Sequence, residues 1–383
     1  MDHHGPNLIL AYVDRRRLVG LGGLEEIYPY SASVTALKQR LITMIQASGP
    51  ISVATYMDLC LHDRRQGYYA TRPGLGEDFI TAPEISQIFG ELIGVWLVNE
   101  WRALGQPERF NLIEIGPGRG TLMSDAWRAA RSIPAFCDAA QLHFVEPSPV
   151  LRERLTDRFS DLGPVFLDQF EDIPRDVPVL MVANEWLDCL PVQQYVRVGA
   201  AWHERVIGLD EAGELAFGLN ADALPPDISP DQTLDSLEMQ PGLKTLSEAL
   251  GDLFAQTPGR ALLVDYGPAD SAPGDSLRSY KAGAQIDPLA APGESDLTCD
   301  VDFARLERLC QSAGLSVSGP VSQSAFLLRL GAEARLNQLA KAHPETAQEL
   351  YEGIRKLTDP AEMGERFQAI CISHSGLEPP IGF

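Results

Sequence analysis

The chain has 383 residues, 45% hydrophobic and 22% charged, enough for one large domain or two ordinary ones around a sizeable core. A balance of 31 Lys and Arg against 53 Asp and Glu gives a net charge of -22, which argues against nucleic acid as a main partner and fits either a basic protein target or simple solubility. Six cysteines without a C-x-x-C pair, seven histidines without H-E-x-x-H and no apolar run of membrane-spanning length lead us to expect a cytoplasmic protein in a reducing compartment, with no disulfide framework, no metal and no membrane insertion.

Residues 1–34 lack periodicity and read as an extension. Val34 to Ala47 then has helical spacing, ended by Gly49-Pro50, and Ile51 to Met57 opens a second helix with Ser52 as its N-cap. From Gly67 through Gly74, Gly76, Asp78 and Phe79 to Glu84 the chain mixes aromatics, glycines and acids, which suits a lid facing a substrate or a packed connecting loop. Ile85 to Leu104 has the apolar spacing of a long helix packed on a sheet. Strands are expected at Phe110 to Ile115, Gln141 to Glu146, Val165 to Asp168, Val177 to Asn184 and Ala261 to Tyr266, alternating with helices as a parallel doubly wound sheet requires. Val192 to Val198 and Ala201 to Ile207 flank Gly199-Ala200, a hairpin with glycine at the first turn position as a type II′ turn prefers. Prolines and acids mark 220–245 as a surface loop, and 267–298 is too rich in Gly, Pro and Asp for regular structure. Asp300 or Asp302 can cap a helix running to Ala313; 315–317 and 325–330 read as the last two strands, and 332–356 and 361–372 as helical.

The chemically legible stretch is Leu112-Ile113-Glu114-Ile115-Gly116-Pro117-Gly118-Arg119-Gly120-Thr121, a buried strand running into a turn with glycine at alternate positions. The dinucleotide fingerprint places its third glycine where this chain has Thr121, so a pyrophosphate ligand is disfavoured and a nicotinamide oxidoreductase is a distant reading. What remains is E-x-G-x-G-x-G, the form this loop takes in class I methyltransferases that use S-adenosyl-L-methionine (AdoMet), whose cationic groups suit the carboxylate of Glu114. A glycine-rich turn without a ligand is the plain alternative.

Ligands of open parallel sheets lie beyond the carboxyl ends of the strands, so the residues just past each strand form one constellation. Glu146, after the second strand, suits the two ribose hydroxyls of a nucleoside or a helix cap. Asp168, after the third, is placed to meet an adenine amino group, with Glu171 and Asp172 as competitors. The fourth ends in Ala183-Asn184-Glu185-Trp186-Leu187-Asp188, where Glu185 and Asp188 share a face if the segment turns helically. Such a carboxylate pair can clamp a guanidinium in its fixed fork, or else bond backbone and hold the loop.

Together, Gly67-Tyr68-Tyr69, the block from Asp78 to Glu91, Glu114 to Leu122, Ala183-Asn184-Glu185 with Asp188, Leu190-Pro191-Val192, Asp265-Tyr266-Gly267, and Asp287-Pro288-Leu289 with Asp296-Leu297-Thr298 resemble the MidA-like family of AdoMet-dependent methyltransferases, over about residues 35–375. The resemblance implies an α/β fold with a Rossmann-like seven-stranded sheet, mostly parallel with its last strand antiparallel, an N-terminal helical cap and an inserted hairpin and loops. It divides the chain into an extension (1–34), a cap with lid loop (35–106), an AdoMet-binding core (107–331) with insertions at 192–220 and 267–298, and a C-terminal helical segment (332–383). It implies catalytic roles for Glu185 and Asp188, cofactor binding by Glu114, Gly116, Gly118, Gly120, Glu146, Asp168 and Asn184, and a substrate side formed by Tyr69, Thr81, Pro83, Glu84, Gln87 and Tyr266. The implied activity is symmetric dimethylation of arginine on a respiratory complex I subunit or its bacterial counterpart, in the mitochondrial matrix if the source is eukaryotic. A complex I assembly chaperone that binds AdoMet without essential catalysis, and a small-molecule methyltransferase, are the alternatives; a homodimer is left open.

Overall fold

The computed structural model describes residues 36–71, 80–223, 235–270 and 274–383. The expected extension at 1–34, and Gly74, Gly76, Asp78 and Phe79 of the expected lid, lie outside these residues.

The described residues open with two helices, α1 (Ala36–Ser48) and α2 (Val53–His62). Ser52 caps α2 as its sequence position implies, its hydroxyl accepting from Thr55 N at 3.0 Å. Next comes α3 (Gln87–Ala103), which packs along α4 (Thr121–Ala130) at unusually short range. A Cβ on Gly94 would lie 2.4 Å from the carbonyl oxygen of Ala126, so only glycine permits that crossing.

Seven strands make the central sheet: β1 (Phe110–Ile115), β2 (Ala140–Val145), β3 (Val165–Leu167), β4 (Val179–Asn184), β5 (Gly259–Tyr266), β6 (Ser316–Ser322) and β7 (Phe367–Ser373). Their order is β6-β7-β5-β4-β1-β2-β3, with β7 antiparallel to both neighbours and the remaining pairs parallel. Side chains alternate between two cores. Leu112, Phe144, Leu180, Val182, Leu262 and Val264 face α3 and α4, whereas Ile113, Ile115, Met181, Ala183 and Leu263 face the opposite layer. That layer consists of α5 (Pro241–Phe254) and α6 (Phe303–Ser312), the latter capped by Asp302, which accepts from Arg305 N at 2.8 Å. Helices on both faces explain why the strands read as unbroken apolar runs.

A third core joins α1 and α2 to the insertions. The hairpin 193–198/201–209 forms as expected, with Gly199 at φ +64° in its two-residue turn. It belongs to a five-stranded sheet that also holds 51–52, 215–223 and 236–239. Four expectations are corrected. Of the surface loop expected at 220–245, residues 224–234 lie outside the described residues, and the rest forms the end of one strand, a strand at 236–239 and the start of α5 at Pro241, a position where proline's missing N–H costs a helix nothing. The stretch 267–298 carries a three-stranded sheet of 278–281, 284–286 and 296–298, built from strands so short that composition conceals them. Residues 325–330, expected as a strand, lie in and just after a helix (Gln323–Arg329) capped by Ser322; a short apolar run has no period that separates the two. Finally, 367–373 is β7 rather than helix. All seven of its residues are buried, as both faces are covered, so no alternation was available to read. The central sheet thus draws on residues on both sides of position 331.

Candidate active site

The sheet register assembles the site. Ile115 lies level with Val145 on one side and Ala183 on the other, and Val145 pairs with Leu167. The next residues, Gly116, Glu146, Asn184 and Asp168, therefore emerge at one height beyond the carboxyl ends of four parallel strands. There they line a cavity of about 420 Å³ together with Glu114, Gly118, Glu185 and Asp188. On its other side the cavity is closed by Tyr69, Thr81, Pro83 and Glu84, so most of the expected cofactor and substrate residues share one space.

Three expected residues do not line it. Gly120, with φ +74°, is the N-cap of α4, and a Cβ there would meet Leu155 Cδ2 and Phe159 Cε2 at 2.7 Å. Gln87 donates to Glu91 one helical turn on, at 3.3 Å. Tyr266 acts from behind the wall, its hydroxyl donating to Asp188 Oδ2 at 2.8 Å. Glu171 and Asp172, the competitors of Asp168, are also absent from the lining.

The carboxylates differ in what they touch. Glu114 is 3% exposed, its Oε2 has no partner, and burial pushes its carboxyl up to about 8 against a weak opposing pull from Arg158. Glu146, pushed up to about 7 by burial, accepts from Ser148 N at 2.8 Å and so serves as a helix-terminal acceptor while facing the cavity. Asp168 pairs with Arg152 at 2.6 Å and its side chain is 77% exposed.

Glu185 sits at φ +52°, a conformation non-glycine residues adopt at a cost and one that concentrates at functional sites. One of its oxygens accepts from Ala82 N and from Asn184 Nδ2, both at 2.9 Å; the other is buried without a partner. Burial pushes this carboxyl up to about 8, opposed by those two hydrogen bonds. One oxygen of Glu185 therefore holds the loop, and the other is buried without a partner. Asp188 follows in a 3-10 turn (Leu187–Cys189), and its Oδ2 accepts from Thr298 Oγ1 at 2.6 Å as well as from Tyr266.

The residue that shapes this loop is Asp265, fully buried near the end of β5. Its Oδ2 accepts the backbone N–H groups of Trp186, Leu187 and Asp188 at 2.9, 2.7 and 3.2 Å, and its Oδ1 that of Tyr266 at 2.9 Å. Burial, then repulsion from Asp188, raises its carboxyl well above the ordinary range. Sequence reasoning passed over it because the strand-end rule was applied to four strands; extending the rule to β5 lands on Asp265-Tyr266. Trp186, His62 and Phe170 also line the cavity, and no spacing in the sequence announces them.

A cavity at the carboxyl ends of a sheet ordered β6-β7-β5-β4-β1-β2-β3, lined by the glycine loop after β1, defines a class I methyltransferase. Comparison with known proteins agrees. A family model for S-adenosyl-L-methionine-dependent methyltransferases matches residues 92–321. The chain is 37% identical over 377 residues to the human protein arginine methyltransferase NDUFAF7, mitochondrial, covering 90% of this chain and 85% of the relative. It is 35% identical to the Drosophila melanogaster homolog over 389 residues, covering 91% and 88%. The crystal structure of a COG1565 superfamily member from Burkholderia thailandensis, bound to S-adenosyl-homocysteine, superposes with a TM-score of 0.77 at 25% identity over 92% of this chain and 97% of that one. The chain belongs to the MidA-like family of AdoMet-dependent methyltransferases.

Proposed function

We propose that this methyltransferase acts on arginine side chains of a protein, forming symmetric dimethylarginine on a respiratory complex I subunit or the bacterial counterpart of that subunit. The observation that carries this reading is Glu185: an unpartnered carboxylate oxygen buried in a cavity that Asp188 also lines. A buried carboxylate of this kind needs a cation, and a guanidinium supplies one with directed N–H donors. The activity for which the relatives are named supports arginine in a protein as the acceptor. They also support a mitochondrial setting for a eukaryotic source, the bacterial cytoplasm being the corresponding place otherwise. Among the described residues no helix is long and apolar enough to cross a membrane.

The residues fit the cofactor. Glu114 offers a buried, unpartnered oxygen to its cationic amino acid end, Gly116 has no Cβ where one would stand 3.0 Å from Trp186 Cδ1, and Glu146 faces the ribose position. AdoMet, when bound, would supply a methyl group on a sulfonium for in-line transfer to a guanidinium nitrogen, with S-adenosyl-homocysteine as the leaving group and one N–H proton released to solvent. Asn184 and Ala82 hold the Glu185 carboxylate, which draws the guanidinium into place and concentrates its positive charge away from the attacking nitrogen. Tyr266 and Thr298 fix Asp188 beside it. Orientation carries most of the catalytic effect, because the reacting atoms need only alignment at about 3 Å.

The test is transfer of labelled methyl from AdoMet to a purified complex I subunit, with mass spectrometry of the modified residue, for the wild type and Glu185→Gln. Label on arginine that disappears in the variant is expected. Bound AdoMet with no label on any protein overturns the reading, and complex I assembly unaffected by Glu185→Gln would point to the chaperone role instead.

A further inference from the structure

Among the described residues seven aspartates and glutamates line the cavity, and Arg119 is the one Lys or Arg there. The cofactor of this family ends in an amino acid, so one further carboxylate must be placed among those seven. Placing a further negative charge among carboxylates in a partly enclosed cavity is unfavourable and calls for a compensating cation. The neighbouring arginines are already engaged. Arg158 donates to the carbonyl of Arg119 at 2.8 Å and to Thr121 Oγ1 at 3.2 Å, and Arg152 to the carbonyl of Glu146 at 2.5 Å and to Asp168 at 2.6 Å. The guanidinium of Arg119 makes no hydrogen bond or ion pair with another described residue. It projects from a turn whose flanking glycines stand at φ +54° and +74°, immediately before the first residue of α4.

A second observation comes from the strand that leads into this turn, where Glu114 Oε2 is buried without a partner. An α-amino acid carries its ammonium and its carboxylate on one carbon, so a carboxylate at the end of β1 and a guanidinium five residues on in the turn, both lining the cavity, match it as a pair. The free N–H groups at the start of α4 add to the positive side. We propose that Arg119 binds the α-carboxylate of the cofactor's methionine end, while Glu114 takes the α-ammonium.

The experiment is calorimetric titration of the full chain with S-adenosyl-homocysteine and with S-adenosyl-3-thiopropylamine, which differs from it only in lacking the carboxylate. Wild type is expected to bind the first roughly 10- to 100-fold more tightly, the range a hydrogen-bonded charge carries. Arg119→Met should weaken S-adenosyl-homocysteine by that factor and leave the decarboxylated probe within about twofold; Arg119→Lys should recover part of the loss. The thermal unfolding midpoint of each variant, read alongside, is expected at the wild-type value. Equal binding of the two probes by wild type, or a loss in Arg119→Met that is the same for both or absent for both, overturns the assignment.

Discussion

Glu185→Gln separates the loop-holding function of this residue from its charge. Glutamine keeps an acceptor oxygen for Ala82 N and Asn184 Nδ2, which the native carboxylate meets at 2.9 Å each. In the ligand-free chain at pH 7 the native carboxyl, pushed up to about 8, is mostly protonated in the fold but ionised when unfolded, so the nearly isosteric variant should be more stable at pH 7 by up to about 3 kcal/mol and within about 1 kcal/mol of the native chain near pH 4. With a guanidinium bound the balance differs. Removing one partner of a buried ion pair costs about 3–5 kcal/mol, from which the roughly 1.4 kcal/mol needed to ionise this carboxyl at pH 7 is subtracted. The remaining ~2–4 kcal/mol corresponds to a loss of about 30- to 1000-fold in kcat/KM. The assay is the rate of labelled methyl transfer, paired with the affinity for S-adenosyl-homocysteine, which should stay within about threefold. A variant that transfers methyl at the native rate, or one that loses cofactor affinity and stability in parallel with activity, would refute the reasoning.

Asp265→Ala removes the fully buried acceptor of three consecutive N–H groups, and denaturant unfolding should show a loss of about 3–5 kcal/mol, with Asp265→Asn milder because it keeps one acceptor oxygen. The stability of the ligand-free chain should depend on pH through Glu114 and Glu185, held up to about 8, and Glu146, held up to about 7, against an ordinary 4.5. The folded state binds more protons than the unfolded one in this window, so these contributions are complete below about pH 4.5 and fade as pH rises toward 8, by up to ~1.4 kcal/mol per pH unit per group. Urea unfolding at several pH values measures that slope, and AdoMet, by supplying cations to ionised carboxylates, should flatten it. A slope of opposite sign between pH 5 and 8 would contradict the burial of these acids.

The parallel half of the fold was legible because its strands are covered on both faces and read as plain apolar runs between glycine turns; Phe110 to Ile115 is the clearest case. The same property hid β7, since Phe367 to Ser373, buried throughout, offers no period against which to tell strand from helix. The cofactor side was legible through a rule of position: residues one step past a strand end share a site however far apart they lie in sequence. That rule placed Glu146, Asp168 and Asn184 correctly in space but said nothing about bonding, and so could not show that Asp168 is paired with a neighbouring arginine. The walls drawn from other layers escaped it. His62 stacks on Tyr69 with ring centroids 5.7 Å apart, and that tyrosine donates to Asp296 at 3.1 Å, contacts that depend on how the cap and the small three-stranded sheet pack.

Seven carboxylates around one cavity would be untenable if all were equivalent, and the structure makes them unequal. Asp168 is paired with Arg152, and Glu146 has one oxygen on a helix terminus. Asp188 receives two hydroxyl protons on a single oxygen. Only Glu114 and Glu185 among these carry a fully buried oxygen with no partner, one near the end of β1 and one just past β4. The two acids expected to work as a pair are therefore not interchangeable. Asp188→Asn can keep accepting from Tyr266 and Thr298 through its amide oxygen, and loses charge from a group whose network is already satisfied. Its kcat/KM should fall by only about 3- to 30-fold, the 0.5–2 kcal/mol of a second-tier charge contact, well short of the loss in Glu185→Gln. Measured side by side on one substrate, an Asp188→Asn defect equal to or larger than that of Glu185→Gln would show that the hydroxyl-bonded carboxylate, and not the unpartnered one, meets the guanidinium.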